Sequence, residues 1–298
     1  MDATGSEPGK LDSGDTAGSR RETALDRSEA EVEQGRISRM RRQRISNTVA
    51  PIGTLVALIL FWEFGATILE TPTYLLPRPT DIWTAFFANW EVLIEHAQVT
   101  TFEVIIGYLL SVVGGVALGL AIFLSPALGR SVYPLLVSTQ AIPKTAIAPL
   151  FVVWFGFGLL PKVLIAFLIA FFPILISTVV GLMSMDAGKL RLARSIGLGR
   201  WGTFVKIRLP QAAPSIFGGL KVGITLCVVG AVVGEFVGAS SGLGYLLLVA
   251  SGNLNSPLLF AALFLLTVLG VGGFLLVSLA ERLLIPWHKG AGDHVAGM

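Results

Sequence analysis

The chain has 298 residues, of which 53% are hydrophobic and 14% charged, and its mean hydropathy is +0.75. Soluble domains carry about a quarter charged residues, so this chain cannot cover a water-soluble fold of its size, and the composition leaves a multi-pass membrane protein. One cysteine, Cys227, and three scattered histidines, His96, His288 and His294, exclude an internal disulfide and a metal site built by spacing. The formal net charge is +3, but the basic residues flank apolar segments, so the partner they indicate is the lipid bilayer and not nucleic acid.

Residues 1–45 are rich in Gly, Ser, Asp, Glu and Arg and are expected to be a disordered cytoplasmic tail, because such a segment cannot bury enough apolar surface to order itself. The tail ends in a basic run, Arg36, Arg39, Arg41, Arg42 and Arg44. The run lies too far along the chain for the start of a cleaved signal, and the apolar segment after it is long enough to span, so it reads as an anchor.

Six apolar segments follow, at 49–69, 104–124, 132–155, 163–183, 214–238 and 257–280. A helix needs about 20 residues to cross the hydrocarbon, and each segment reaches that. Alternation of period two is absent, which argues against a barrel. The third segment holds Pro134, Pro143 and Pro149 and is expected to be kinked or broken. Irregular backbone at that depth survives only where protein or a wet cavity covers it. The first outer loop, 70–103, is net acidic and is expected to carry a short amphipathic helix around Asp81–Trp90, with Ile82, Trp83, Phe86 and Phe87 at the interface. The six tryptophans fit an aromatic belt better than a binding cage.

Orientation follows from Lys and Arg. With the N-terminus inside, 18 of the 22 basic residues fall in cytoplasmic pieces and two, Arg78 and Lys162, outside. Both termini are therefore read as cytoplasmic, with 46–285 as the membrane domain and 286–298 as a short C-terminal tail.

The cytoplasmic stretch 185–209 has a helical pattern, with Leu190, Ala193 and Ile196–Gly197 on one face. Gly197 and Gly199 break it. Trp201, Phe204, Val205 and Leu209 begin a second amphipathic piece, which Pro210 is expected to stop. Such a shape either sits in a groove on a partner or is a basic loop held by lipid headgroups.

The run Ala193-Arg194-Ser195-Ile196-Gly197, followed by Phe204, Ile207, Leu209 and Pro210, resembles the EAA loop of the permease subunits of bacterial ATP-binding-cassette importers. Ala193, Gly197 and Leu209-Pro210 match that pattern; Arg191 stands at its glutamate and Leu192 at its first alanine. The runs AIPKTAIAPLFVVWFGFG (141–158), FFPIL (171–175) and VVGEFVGASSGLGYLL (232–247) resemble the nitrate, sulfonate and taurine branch, so the similarity covers about residues 50–285. The resemblance implies a type I importer permease in the bacterial inner membrane, working by alternating access. It implies a second permease copy, a pair of ATPase subunits that dock on Ala193, Arg194, Ser195, Ile196, Gly197 and Leu198, and an extracytoplasmic solute-binding protein. The solute it implies is a small anion such as an aliphatic sulfonate, taurine or nitrate, although relatives also carry vitamin precursors.

The chain has no G-x-x-x-x-G-K-[ST] run and no catalytic constellation, so the expected cofactors, ATP and Mg, belong to the partner ATPase. Ionisable groups within spans are functional candidates by default. Lys144, in the proline-broken segment, either attracts an anion along the pathway or serves structure. Glu235, inside GAVVGEFVGASSG, either braces neighbouring helices or lines the pathway. Glu63 and Glu103 are expected near interfaces, and Lys221 to snorkel to the cytoplasmic edge. Gly219, Gly223, Gly230, Gly234 and Gly238 in the fifth segment form a packing seam, either within the bundle or between permease copies. The alternative function is a self-contained ion-coupled transporter using Lys144 and Glu235 as a pair; against it, the six segments show no evident internal repeat.

Overall fold

A computed structural model describes residue 50 and residues 53–287. The expected tail 1–45 and most of the C-terminal tail lie outside the described residues. The chain divides into two units between Phe61 and Trp62. Of the first, the described residues belong to an exposed apolar helix, α1 (Gly53–Ile68).

The second unit is a helical bundle. In chain order it holds α2 (Pro79–Ala88), α3 (Trp90–Leu124), α4 (Pro126–Ser138), α5 (Ala148–Phe155), α6 (Leu159–Met183), α7 (Ala187–Ser195), α8 (Arg200–Thr203), α9 (Leu209–Gly238), α10 (Leu243–Gly252) and α11 (Ser256–Leu284). Four continuous helices among the described residues are long and apolar enough to cross a membrane: α3, α6, α8 running into α9, and α11. The third expected span is broken as its prolines require. Its halves, Pro126–Ala141 and Lys144–Phe155, meet at 86°. The first expected span, 49–69, is described as the 16-residue helix Gly53–Ile68, shorter than a crossing requires, so the described residues give four spans, or five with the bent pair, instead of six.

Two boundaries differ from the sequence reading. The second span begins at Trp90, not 104, so the outer loop is short and ends in α2. The reason lies in Leu93, Thr100 and Glu103, all fully buried in the bundle, which continue the helix on a face no hydropathy window registers. At the other end Pro210 does not stop a helix. The preceding turn, Phe204–Arg208, is a π-helix in which the Leu209 N–H donates to the Phe204 carbonyl five residues back. That widened turn makes room for the proline ring, and α8 and α9 form one 39-residue rod.

The bundle is organised around α6, which packs most extensively on α9 and next on α3. Lipid tails are as apolar as leucine, so helix association there depends on close packing, and small residues permit it. A Cβ on Gly230 would lie 2.7 Å from the Ala166 Cα, and one on Gly219 2.5 Å from the Ser177 Cβ. On the α3 side a Cβ on Gly107 would lie 2.9 Å from the Ala166 Cβ. The glycine seam of α9 therefore faces α6 within the chain. Hydroxyls bridge the same seams: Ser111 donates to the Phe167 carbonyl at 3.0 Å and Ser215 to the Ser177 carbonyl at 2.9 Å. Gly230→Leu should thus lower the thermal unfolding midpoint in detergent by the equivalent of about 1–3 kcal/mol, the usual cost of overpacking. Gly270→Leu, whose Cβ meets nothing within 4 Å, serves as control and should leave the midpoint nearly unchanged.

Candidate functional site

The two ends of the α3, α6 and α9 bundle carry the polar chemistry. At the end opposite the basic loop, Glu103 of α3 and Lys162 of α6 form a buried ion pair. The sequence reading put Lys162 in an outer loop and Glu103 at an interface. The structure buries both, because α3 and α6 each extend further outward than their hydropathy suggests, and each charge supplies the other's partner.

Glu235 of α9 is 1% exposed and lies beside this pair. Its Oε1 accepts the Thr100 hydroxyl at 2.6 Å, and its Oε2 accepts the Gly244 N–H. The Leu243 N–H donates to Thr100 Oγ1 at 2.7 Å and the Gly242 N–H to His96 Nδ1 at 2.9 Å. Three successive N–H groups at the start of α10 are thus satisfied by side chains of α3 and α9 rather than by a local cap. A carboxylate at a helix N-terminus is also favoured by the helix dipole. Gly242 has φ +112°, and a Cβ there would overlap the Glu235 carboxyl, so the turn requires glycine twice over. Among the described residues, a cleft of about 780 Å³ opens beside this cluster, with Glu103, Lys162, Glu235, Phe157 and Tyr245 on its walls.

Lys144 lies elsewhere. It begins the short 3-10 turn between α4 and α5, half-buried, with Nζ 4.6 Å from the centre of the Phe172 ring. Lys144 and Glu235 are not brought together as a pair. Lys221 pairs with Glu281 in the last turn of α11. Glu63 accepts the Thr80 N–H at 3.1 Å and its hydroxyl at 2.9 Å, which fastens the start of α2.

At the basic end the loop forms a helix, a glycine turn and a second helix. Ala193 on α7 is fully buried, while Leu192 and Ile196 are more than 60% exposed. Arg194 and Ser195 complete the last turn of α7, and Ile196 falls in the turn beyond it rather than on the face of Ala193. Gly197 has φ +75°, and the Leu198 N–H donates to the Ala193 carbonyl at 3.0 Å. This is a Schellman ending, which the left-handed glycine makes possible. The loop is tied to the bundle by aromatic contacts. Trp201 stacks on Phe204 at 5.6 Å, Phe204 on Phe123 at 6.0 Å, and the Arg208 guanidinium lies 5.0 Å from the Phe123 ring. A second cleft, about 700 Å³, runs between this aromatic row and Leu190, Leu198 and Arg200.

An apolar bundle with a basic, glycine-turned helical loop at one end and a buried polar cluster beside a cleft at the other is the build of a membrane transport subunit. Residues 111–288 match the family described as binding-protein-dependent transport system inner membrane component, and the chain belongs to that family. It is the multi-pass permease component of such an importer, in the inner membrane. The formylaminopyrimidine transport permease ThiX of Halalkalibacterium halodurans is 36% identical over 83% of this chain and 99% of its own. The riboflavin transport permease RibX of Chloroflexus aurantiacus is 38% identical over 79% and 88%. The putative aliphatic sulfonates permease SsuC of Escherichia coli is 31% identical over 80% and 92%. A crystal structure of the MetNI methionine transporter in an inward-facing conformation has the same fold, with a TM-score of 0.54 at 19% identity over 67% of this chain and 97% of that one. The resemblance read from the loop and the three runs thus names the right family, and the all-helical permease fold is the one observed.

Glu103, Lys162 and Thr100 were not singled out as site residues by sequence. The available signal was the pair of charges flanking two spans at matching depth. Thr100→Val removes a donor to Glu235 and an acceptor for Leu243 at once, and unpaired buried groups cost about 1–3 kcal/mol each. Its thermal midpoint in detergent should fall well below that of Thr101→Val, whose hydroxyl bonds only to its own helix.

Proposed function

We propose that this chain lines the solute path of an ATP-driven importer, and that a second copy of it completes that path. A pair of ATPase subunits supplies the ATP and Mg chemistry, and an extracytoplasmic solute-binding protein delivers the solute. The observation that carries the reading is the exposed α7–Gly197–α8 projection. Leu192, Ile196 and Trp201 stand out from it, 62%, 64% and 71% exposed, on a loop otherwise anchored by buried Ala193 and Phe204. Apolar side chains held outward on a rigid hairpin fit a groove on a soluble partner. Ala193, Arg194, Ser195, Ile196, Gly197 and Leu198 form that docking element.

The same geometry supports transmission. α8 continues without a break into α9, so a push on the projection moves a single rod whose far end carries Glu235. The Phe123, Phe204 and Arg208 contacts make α3 move with it. Lys144, at the break between α4 and α5, is the pathway residue of the proposal, because a bent backbone with a cation at its corner is where an anionic or electron-rich group is met. The ion-coupled alternative relied on a Lys144 and Glu235 pair, and it loses that support, since both oxygens of Glu235 bond to Thr100 and Gly244.

For the solute, relatives at 36% and 38% identity are named for formylaminopyrimidine and riboflavin transport, and those named for sulfonates and taurine lie at 27–31%. The proposal takes a small aromatic heterocycle first and a sulfonate-type anion as the second class.

Purified in mild detergent with its native partners, the tagged chain should bring down a P-loop ATPase in stoichiometric amount. Gly197→Asp should stay in the membrane, since Asp tolerates the left-handed backbone better than most residues, but lose both the ATPase and uptake. Normal ATPase association in that variant would remove the docking assignment. Lys144→Ala should lower uptake without lowering assembly, and unchanged uptake would return the lysine to a structural role. Uptake of a labelled pyrimidine or flavin, competed by excess taurine or alkanesulfonate, decides between the solute classes.

A further inference from the structure

The outer cluster does not balance as ordinary ion pairs. Glu103 and Glu235 are no more than 1% exposed, and Lys162 is 7% exposed. Glu103 and Glu235 meet at Lys162: Glu103 pairs with its ammonium, Gly234 lies against its backbone, and all three side chains line one cleft. Fully ionised, the three groups would place an uncompensated negative charge on buried side chains, which is among the costliest arrangements a protein interior can hold.

Donor counting points the same way. Of the four carboxylate oxygens, Glu103 Oε1 accepts from Lys162, Glu235 Oε1 from the Thr100 hydroxyl and Glu235 Oε2 from the Gly244 N–H. The fourth, Glu103 Oε2, is buried with no donor among the described residues. Thr100 cannot help, because its hydroxyl already bonds to Glu235 and its oxygen accepts the Leu243 N–H. The other titratable groups beside the cluster are His96 of α3, bonded to the Gly242 N–H, and Tyr245 of α10. Of the rest on α3 and α9, Glu91 and Glu95 are exposed, Tyr108 donates to the Leu220 carbonyl, Cys227 to the Val104 carbonyl, and Lys221 pairs with Glu281. Lys162 is the one charged residue of α6, α5 has none, and those of α11, Glu281 and Arg282, lie at its opposite end.

We propose that Glu103 and Glu235 hold one proton in common, so that with Lys162 they form a proton-binding site of zero net charge in the outer half of the bundle. A single shared proton gives Glu103 Oε2 its missing partner and cancels the excess charge in the same step. Two carboxyls confined to one site do not both ionise. Because Glu235 also caps α10, the proton joins α3 and α9 beneath that helix, and removing it would set two like charges against each other at the point where α10 is fastened.

The test does not depend on transport or on any partner. Infrared spectra of the full-length chain, purified in lipid, should show the carbonyl stretch of a protonated carboxyl, displaced in D₂O. Both Glu103→Gln and Glu235→Gln should lose it. The charge count also fixes a pattern in thermal midpoints. Glu103→Gln should be nearly neutral, because its amide donates to Glu235 permanently and its carbonyl still accepts from Lys162. Lys162→Met, which strands a buried carboxylate, should cost about a hundredfold to a few thousandfold in the folded-to-unfolded ratio. Glu103→Gln combined with Glu235→Gln, which strands Lys162, should lose more than the two single variants together. A folded, unaltered chain with no protonated-carboxyl band means that both carboxyls are ionised, and it overturns the proposal without requiring any variant to fold. A midpoint for Glu103→Gln as low as that of Lys162→Met overturns it as well.

Discussion

The close approach of α6 to α3 and α9 is the constraint on which the rest of this structure depends. At Gly107, Gly219 and Gly230 there is no room for a single added carbon. In lipid this contact is not driven by the exclusion of water, since the surroundings are as apolar as the side chains. It rests on dispersion between backbones that small residues allow to meet. Interhelical hydrogen bonds in membranes average about 0.6 kcal/mol. The two from Ser111 and Ser215 therefore add only about 1 kcal/mol and serve mainly to fix register. The packing of the glycine seams decides the fold.

Fixed register at the seam places the polar groups at both ends. Gly234 lies against the Lys162 backbone and immediately precedes Glu235, so the same approach that packs α9 on α6 carries Glu235 to the Glu103 and Lys162 pair. At the basic end the same three helices bring Phe123, Leu182 and Arg208 together, and the Arg208 side chain reaches the Leu182 carbonyl at 3.5 Å. The loop that projects there is thus joined to the helices that carry the polar cluster at the far end. The proposed coupling to a partner ATPase needs such a rigid connection, because displacement at one end must become displacement at the other.

The pattern of isolated charges has two different meanings in this chain. Lys221 and Glu281 lie in different helices and are partly exposed, which makes them a packing bridge of modest worth. Glu103, Lys162 and Glu235 are buried, where an unpaired charge is costly. The arrangement of every neighbour, from the glycines at 242 and 244 to Thr100, follows from accommodating them. Side chains of one chemical class therefore differ in role by burial alone, a property that hydropathy does not carry.

The sequence by itself determined the class of protein, the break in the third span and the glycine turn at 197, because each is set by composition or by the local backbone rules of proline and glycine. It also identified the family, since Ala193, Gly197 and Leu209-Pro210 stand at fixed local spacing. Only the tertiary structure decided where the spans truly end and which charges meet. Thr100 and Glu235 are 135 residues apart, and Glu103 and Lys162 are 59 apart. Pro210 passes through a helix because a widened turn precedes it. The reason is common to all of these. Periodicity and hydropathy report how one segment meets an average surrounding, whereas a buried charge or a proline inside a rod is tolerated only through a particular neighbour, and that neighbour is chosen by the packing of α6 between α3 and α9.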